Sequence, residues 1–207
     1  IYLQLDPGES CMVQTGSTKF SGAKFPYTET VGEAITLDGK WDLTFLSGGP
    51  VLPQRVEDSQ LQSWTDLPVA GVKEFSGTAQ YSINFEKPLE NADAFVLNLG
   101  TVKESAEIIL NGGKIATLIG PTYSIDIPAG LFRKENRLQV IVTNGMANRI
   151  IDLDKRGVPW KKFYNVNMPA RLAENRGQDG LFTSAKWEPK ASGLLGPVRI
   201  TPVRFIK

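Results

Sequence analysis

Apolar and polar positions alternate with period two along most of the chain, the spacing of strands that bury one face. Ile1, Leu3 and Leu5 alternate with Tyr2 and Gln4 ahead of Asp6-Pro7-Gly8, which predicts an opening strand and turn. Ala79, Tyr81, Ile83 and Phe85 share one face, opposite Thr78, Gln80, Ser82 and Asn84. Phe95, Leu97 and Leu99 follow, then Ala106, Ile108 and Leu110. Asn111-Gly112 supplies the positive φ angles of a type I′ turn, so Lys114 to Ile119 returns as the partner strand. Leu138, Val140 and Val142 make another inward face. Val198 and Ile200 are in phase, Val203 and Phe205 are shifted by one, and Pro202 at the change predicts an edge strand or a bulge. No stretch carries a long 3.6-residue stripe; Leu131 to Asn136 has room for one helical turn and little else does. About eight to ten short strands punctuated by turn residues predict an all-β, antiparallel β-sandwich.

Two segments break the rhythm. Residues 16–32 are rich in Gly, Ser, Thr and Lys. The longer polar excursion, about 144–180, carries Asn148, Arg149, Asp152, Asp154, Lys155, Arg156, Lys161, Lys162, Asn165, Asn167 and Arg171. It also carries Trp160, Phe163 and Tyr164, which a disordered tract usually lacks. No linker or repeat divides residues 1–207, so a single sandwich domain is expected. A chain of 207 residues is long enough to bury a substantial core.

The composition narrows the chemistry. Net charge is +1, without a block of one sign, which argues against a dedicated nucleic-acid or anionic-membrane partner. No apolar run approaches the roughly 20 residues of a membrane helix. There is no histidine, which removes the Ser-His-Asp triad, the Cys-His pair and imidazole metal ligands. Cys11 is the single cysteine and forms no intrachain disulfide; its neighbours Met12 and Val13 predict a buried core thiol. The abrupt start at Ile1 reads as an excised domain or processed product.

The ordered motifs carry a resemblance. Trp64-Thr65-Asp66-Leu67-Pro68, Phe75-Ser76-Gly77-Thr78-Ala79-Gln80-Tyr81, Leu97-Asn98-Leu99-Gly100 and Glu107-Ile108-Ile109-Leu110-Asn111-Gly112 resemble the sugar-binding β-sandwich of family-two glycoside hydrolases. Asn136-Arg137-Leu138, running into Val140-Ile141-Val142-Thr143-Asn144, resembles that domain's late strand. Ser192-Gly193-Leu194-Leu195-Gly196-Pro197-Val198 is similar to the C-terminal sandwich of bacterial α-L-rhamnosidases. The segment after that late strand departs from the pattern, with Asn144-Gly145-Met146-Ala147 where a tryptophan is expected.

The resemblance implies a jelly-roll-like sandwich of the galactose-binding-domain type, within a larger secreted or periplasmic enzyme that degrades plant glycans. It implies the accessory domain without the catalytic (β/α) barrel, which makes that catalytic domain and a weakly bound carbohydrate the expected partners. Three roles stay open: carbohydrate binding, architectural support of the barrel, and a stand-alone lectin-like protein. Relatives with such sandwiches also make a structural Ca²⁺ possible, although no dedicated calcium loop is present.

Trp160 is the candidate sugar platform, since an indole face accepts the apolar C–H face of a sugar while neighbouring polar groups bind hydroxyls. Pinning its own loop is the alternative. Asn144, Asn148, Arg149 and Asp152 gather past a strand end, where sandwich loops commonly carry ligands, or they satisfy turn backbone. Trp64 anchors a loop or faces solvent; Trp41 belongs to the core, and Trp187 packs beneath the last strands. Asp152 with Asp154, and Glu57 with Asp58, are acidic neighbours; neither makes a persuasive glycosidase pair. No catalytic residue is assigned.

Overall fold

The computed structural model describes residues 2–5, 8–18, 21–22, 25, 27–88, 91–160 and 171–206. The strands are β1 (Thr28–Thr30), β2 (Ile35–Thr36), β3 (Trp41–Gly49), β4 (Val56–Ser59), β5 (Ser76–Glu86), β6 (Ala94–Asn98) and β7 (Thr101–Lys103). There follow β8 (Ser105–Leu110), β9 (Gly113–Ile119), β10 (Ser124–Pro128), β11 (Glu135–Thr143), β12 (Gly193–Gly196) and β13 (Arg199–Phe205). Among the described residues the α-helix is α1 (Ala147–Lys155), between β11 and β12.

The larger sheet has the order β4-β3-β5-β11-β8-β9. The smaller main sheet runs β1-β13-β6-β10, with β2 also against β13, and β7 pairs with β12. All these ladders are antiparallel. Their arrangement is an antiparallel β-sandwich.

Period-two patterning sets the faces. Ala79, Tyr81 and Ile83 on β5 and Leu138, Val140 and Val142 on β11 are buried, and the two strands pair in unbroken register from Thr78↔Thr143 to Glu86↔Glu135. Phe95, Leu97, Val198 and Ile200 from the facing side complete the interior. Phe45, Trp64 and Phe75 form an edge-to-face cluster with centroids 5.0–5.8 Å apart. Gly193, at φ +102°, passes against the Tyr81 hydroxyl and the Trp64 ring where no Cβ would fit. At the β8–β9 hairpin, Asn111 (φ 54°) and Gly112 (φ 85°) supply the two positive φ angles the sequence implied.

Several expectations are corrected. Pro202 sits neither at an edge nor at a bulge: β13 is sandwiched between β6 and β1/β2. Its carbonyl accepts from Val31, so its missing N–H faces the break where β13 changes partner from β2 to β1. Residues 2–5 form no strand; Leu3 and Leu5 are exposed, and the Gln4 side-chain amide instead bonds both backbone groups of Thr28. Cys11 is exposed rather than buried. Trp187 packs on Phe182, 5.6 Å between centroids, in the segment between the excursion and β12. Of the predicted turn at residues 6–8, Asp6 and Pro7 lie outside the described residues. So do Lys161, Lys162, Phe163, Tyr164, Asn165 and Asn167.

The helix is the largest departure. It buries only Asn148 and Ile151, one of them polar, and at nine residues it is too short to show a long apolar stripe. Its end was readable: Lys155-Arg156-Gly157-Val158-Pro159 places basic residues, then Gly, then Pro, in the order of a helix stop. Gly157 (φ 66°) donates to the Asp154 carbonyl and Val158 to that of Leu153, the paired bonds of a Schellman cap.

Candidate functional site

The excursion is held to the sandwich by its own amides. The Asn144 side chain accepts from Gly77 N (2.8 Å) and donates to Phe75 O and Ser192 Oγ (3.2 and 3.0 Å). Asn148 donates to Lys190 O (2.9 Å) and accepts from Lys190 N (2.7 Å). Ser63 Oγ accepts from Ser192 N at 3.0 Å, closing the network. These bonds seat α1 across the start of β5 and bring the chain back toward β12.

The next two carboxylates on α1 point apart, as i, i+2 positions on a helix must. Asp152 takes Arg149 Nη1 at 2.7 Å, Arg156 Nη2 at 2.8 Å and Arg156 Nε at 3.0 Å. Asp154 turns toward the hairpin at 177–183. One of its oxygens accepts from Ser184 N (2.7 Å) and Ser184 Oγ (2.9 Å), the other from Trp160 Nε1 at 2.6 Å. Charge-assisted bonds of this kind are short and directional, so Asp154 fixes the plane of the half-buried Trp160 indole.

Trp160 thereby becomes one wall of an open cleft of about 700 Å³, a volume within the range of small-molecule sites. Val158 and Pro159 flank it, and Gln178, Asp179 and Thr183 face it across the cleft. That far wall is stiff. Gly177 N donates to Leu181 O, Leu181 N donates to Asp179 Oδ1, and Trp187 Nε1 donates to Asn175 Oδ1. Lys190 lies 5.1 Å over the Trp187 ring.

Of the six residues the sequence proposes for a sugar, only Trp160 lines this cleft. Trp64 is fully buried in the Phe45–Phe75 cluster, with no face for a ligand. Asn144 and Asn148 spend their amides on Phe75, Gly77, Lys190 and Ser192, 42 to 69 residues away in the chain. Arg149 and Asp152 bind each other on the helix surface. Gln178, Asp179 and Thr183 were missed, although Asp179-Gly180 is a turn signal that marks their loop. Glu57 and Asp58 are exposed partners of Arg55 and Lys40. Among the described residues no three His, Cys, Asp or Glu side chains converge as a metal site would require.

No family model matches the chain. It is 33% identical over 190 residues to a protein of Formosa agariphila provisionally named a β-glucuronidase, covering 83% of this chain and 16% of that one. It superposes on a rhamnosidase from Novosphingobium sp. PP1Y with a TM-score of 0.61 and 26% identity, covering 90% of this chain and 16% of that one. The chain resembles sandwich domains of glycoside hydrolases in both sequence and fold. A β-glucuronidase from Bifidobacterium dentium shares the fold at 20% identity and a TM-score of 0.52, over 82% of this chain and 30% of that one. The glycoside-hydrolase-type sandwich thus spans about a sixth of the length of the first two relatives. No helix among its described residues is long and apolar enough to cross a membrane.

Proposed function

We propose that this chain is a non-catalytic, carbohydrate-binding accessory domain of a secreted or periplasmic glycoside hydrolase that degrades plant glycans, with an α-L-rhamnosidase-like parent activity. The observation that carries the reading is Trp160, oriented by Asp154 on the wall of an open polar cleft. A sugar stacks its C–H face on the indole, and Gln178 and Asp179 reach its hydroxyls. The relatives' names supply the enzyme class, and a catalytic domain of the same parent is the expected partner; nucleic acid and membrane are not. Asp152 and Asp154 have the oxygen chemistry of Ca²⁺ ligands, but each is already engaged by its neighbours, so the reading assigns no calcium to them.

Catalysis is not assigned to the chain. It has no histidine, and its adjacent helix carboxylates face different partners instead of one scissile bond. A second, architectural reading draws on the exposed apolar residues Val51, Leu52 and Met146, which suit docking against a neighbouring domain.

The test is a fluorescence and chemical-shift titration with rhamnose, galactose and pectic oligosaccharides, repeated with Trp160→Ala. With one stacking residue in an open cleft, a Kd on the order of millimolar is expected, about −4 kcal/mol. The response should vanish in the variant while the Tm holds. Silence toward every sugar, with marked destabilisation by Trp160→Ala, would make Trp160 a loop anchor and favour the architectural reading.

A further inference from the structure

At the opposite end of β5 and β11 from α1, the outer face of the larger sheet holds a second open groove of about 700 Å³. Its floor is β11, whose main chain is bonded to β5 along one side and, from Arg137 onward, to Asn111 and β8 along the other. From Arg137 onward the floor's backbone is paired on both sides, so recognition there falls to side chains.

Two asparagines build the frame. Asn111 Oδ1 accepts from Arg137 N (3.0 Å), and its Nδ2 donates to Asn136 Oδ1 (2.9 Å) and Leu131 O (3.2 Å). Asn136, buried, closes the Arg133 turn by bonding both its N–H and its carbonyl. Around this frame stand Asn84, Gln139, Arg133, Arg137, Glu86 and Glu135. The ion pairs among the described residues include none of the four charged groups, although two guanidiniums and two carboxylates share one groove. Glu86 and Glu135 are direct cross-strand partners, a like-charge pairing that costs stability.

We propose that this groove is a second saccharide site, independent of the Trp160 cleft, that takes a neutral oligosaccharide. A sugar hydroxyl both donates and accepts, and the groove offers donors (Arg133, Arg137), acceptors (Glu86, Glu135) and amides that do both (Asn84, Gln139). The carboxylates equal the guanidiniums in number, so a uronate would meet as much repulsion as attraction. Phe85 is the aromatic side chain that lines the groove. The domain would then hold a glycan beyond each end of its central strands, of which β11 is about 27 Å long.

The experiment is a titration followed by the side-chain resonances of Asn84, Gln139, Arg137 and Trp160. The probes are a neutral galactan hexasaccharide and hexagalacturonate, against wild type, Trp160→Ala, and the exposed pair Asn84→Ala/Arg137→Ala. The groove resonances should move with the neutral hexasaccharide and still move in Trp160→Ala. In the pair variant, affinity at the groove, read on Gln139, should fall at least fivefold with the Tm unchanged. Shifts confined to Trp160 would overturn this proposal and leave the first site standing; shifts confined to the groove would do the reverse. Movement with hexagalacturonate alone, or undiminished affinity in the pair variant, would also overturn it.

Discussion

Before β11 begins to pair with β8, Asn111 and Asn136 join a hairpin tip to a four-residue turn; just past its end, Asn144 and Asn148 join segments more than forty residues apart. Both pairs use amides because an amide carries two donors and two acceptors in a plane, enough to satisfy the N–H and the C=O of one residue at once. At the first end the bonds span 3 to 26 residues and the neighbouring side chains stay available to solvent. At the second the bonds are long-range, and they hold the excursion that presents Trp160. The same chemistry therefore serves as a loop fastener at one end and as the attachment of a functional segment at the other.

That difference is sharpest in stability. Asn148→Ala strands Lys190 N–H, leaves Lys190 C=O with Ser192 Oγ as its donor, and removes a partner of Ser192 inside a buried network. Each buried group left unpaired costs about 1–3 kcal/mol, so a loss of about 3 kcal/mol and a Tm drop of roughly 10 °C are expected. Asn136→Ala strands groups of Arg133 beside solvent, where water replaces the amide, and should cost about 1 kcal/mol. Calorimetry of the two variants checks the order. Equal losses would show that the two ends are fastened alike.

A second contrast comes from pH. Tyr81 is buried beneath Gly193, and burial pushes its phenol well above the usual tyrosine value; the adjacent Leu194 backbone offsets this only in part and makes no well-formed hydrogen bond to it. The unfolded chain releases this proton near pH 10 and the folded chain does not. Stability from Tyr81 is therefore complete below about pH 10 and falls above it, by about 1.4 kcal/mol per pH unit. Urea melts at pH 8 and 11 should show this slope, and Tyr81→Phe should remove its share. An identical slope in the variant would assign it to other groups.

How much of this was legible follows from the same contrast. The strands of the central pair, the Asn111-Gly112 hairpin and the inward face of β5 could be read because each rests on period-two patterning or a two-residue turn. Trp160 could be singled out because an aromatic in a polar tract is anomalous. Asn148 and Asp154 could not be assigned their roles, since their partners, Lys190 and Ser184, lie 42 and 30 residues away. Helix α1 escaped because its apolar positions, Ile150, Ile151 and Leu153, span too few turns to stand out in a polar tract, and the side-chain bonds that seat it come from distant segments; its Gly157 stop was written locally. Cys11 misled because apolar neighbours signal burial only inside a regular element, and residues 9–16 form none.

The smallest effect expected is also the one that separates a structural groove from a binding one. Glu86→Gln removes one member of the Glu86–Glu135 pair without changing its shape. If the pair serves only the fold, the variant gains and nothing is lost. If Glu86 accepts from a sugar hydroxyl, the same variant should be more stable by a few tenths of a kcal/mol, within the range of cross-strand pairs, yet bind the neutral hexasaccharide more weakly at the groove. The stability gain should shrink in high salt, because both carboxylates are exposed and screened. The affinity loss should persist, because it comes from a short-range hydrogen bond. Denaturant melts at low and high salt, run beside the groove titration, measure both. A gain in stability with unchanged affinity would remove Glu86 from the site.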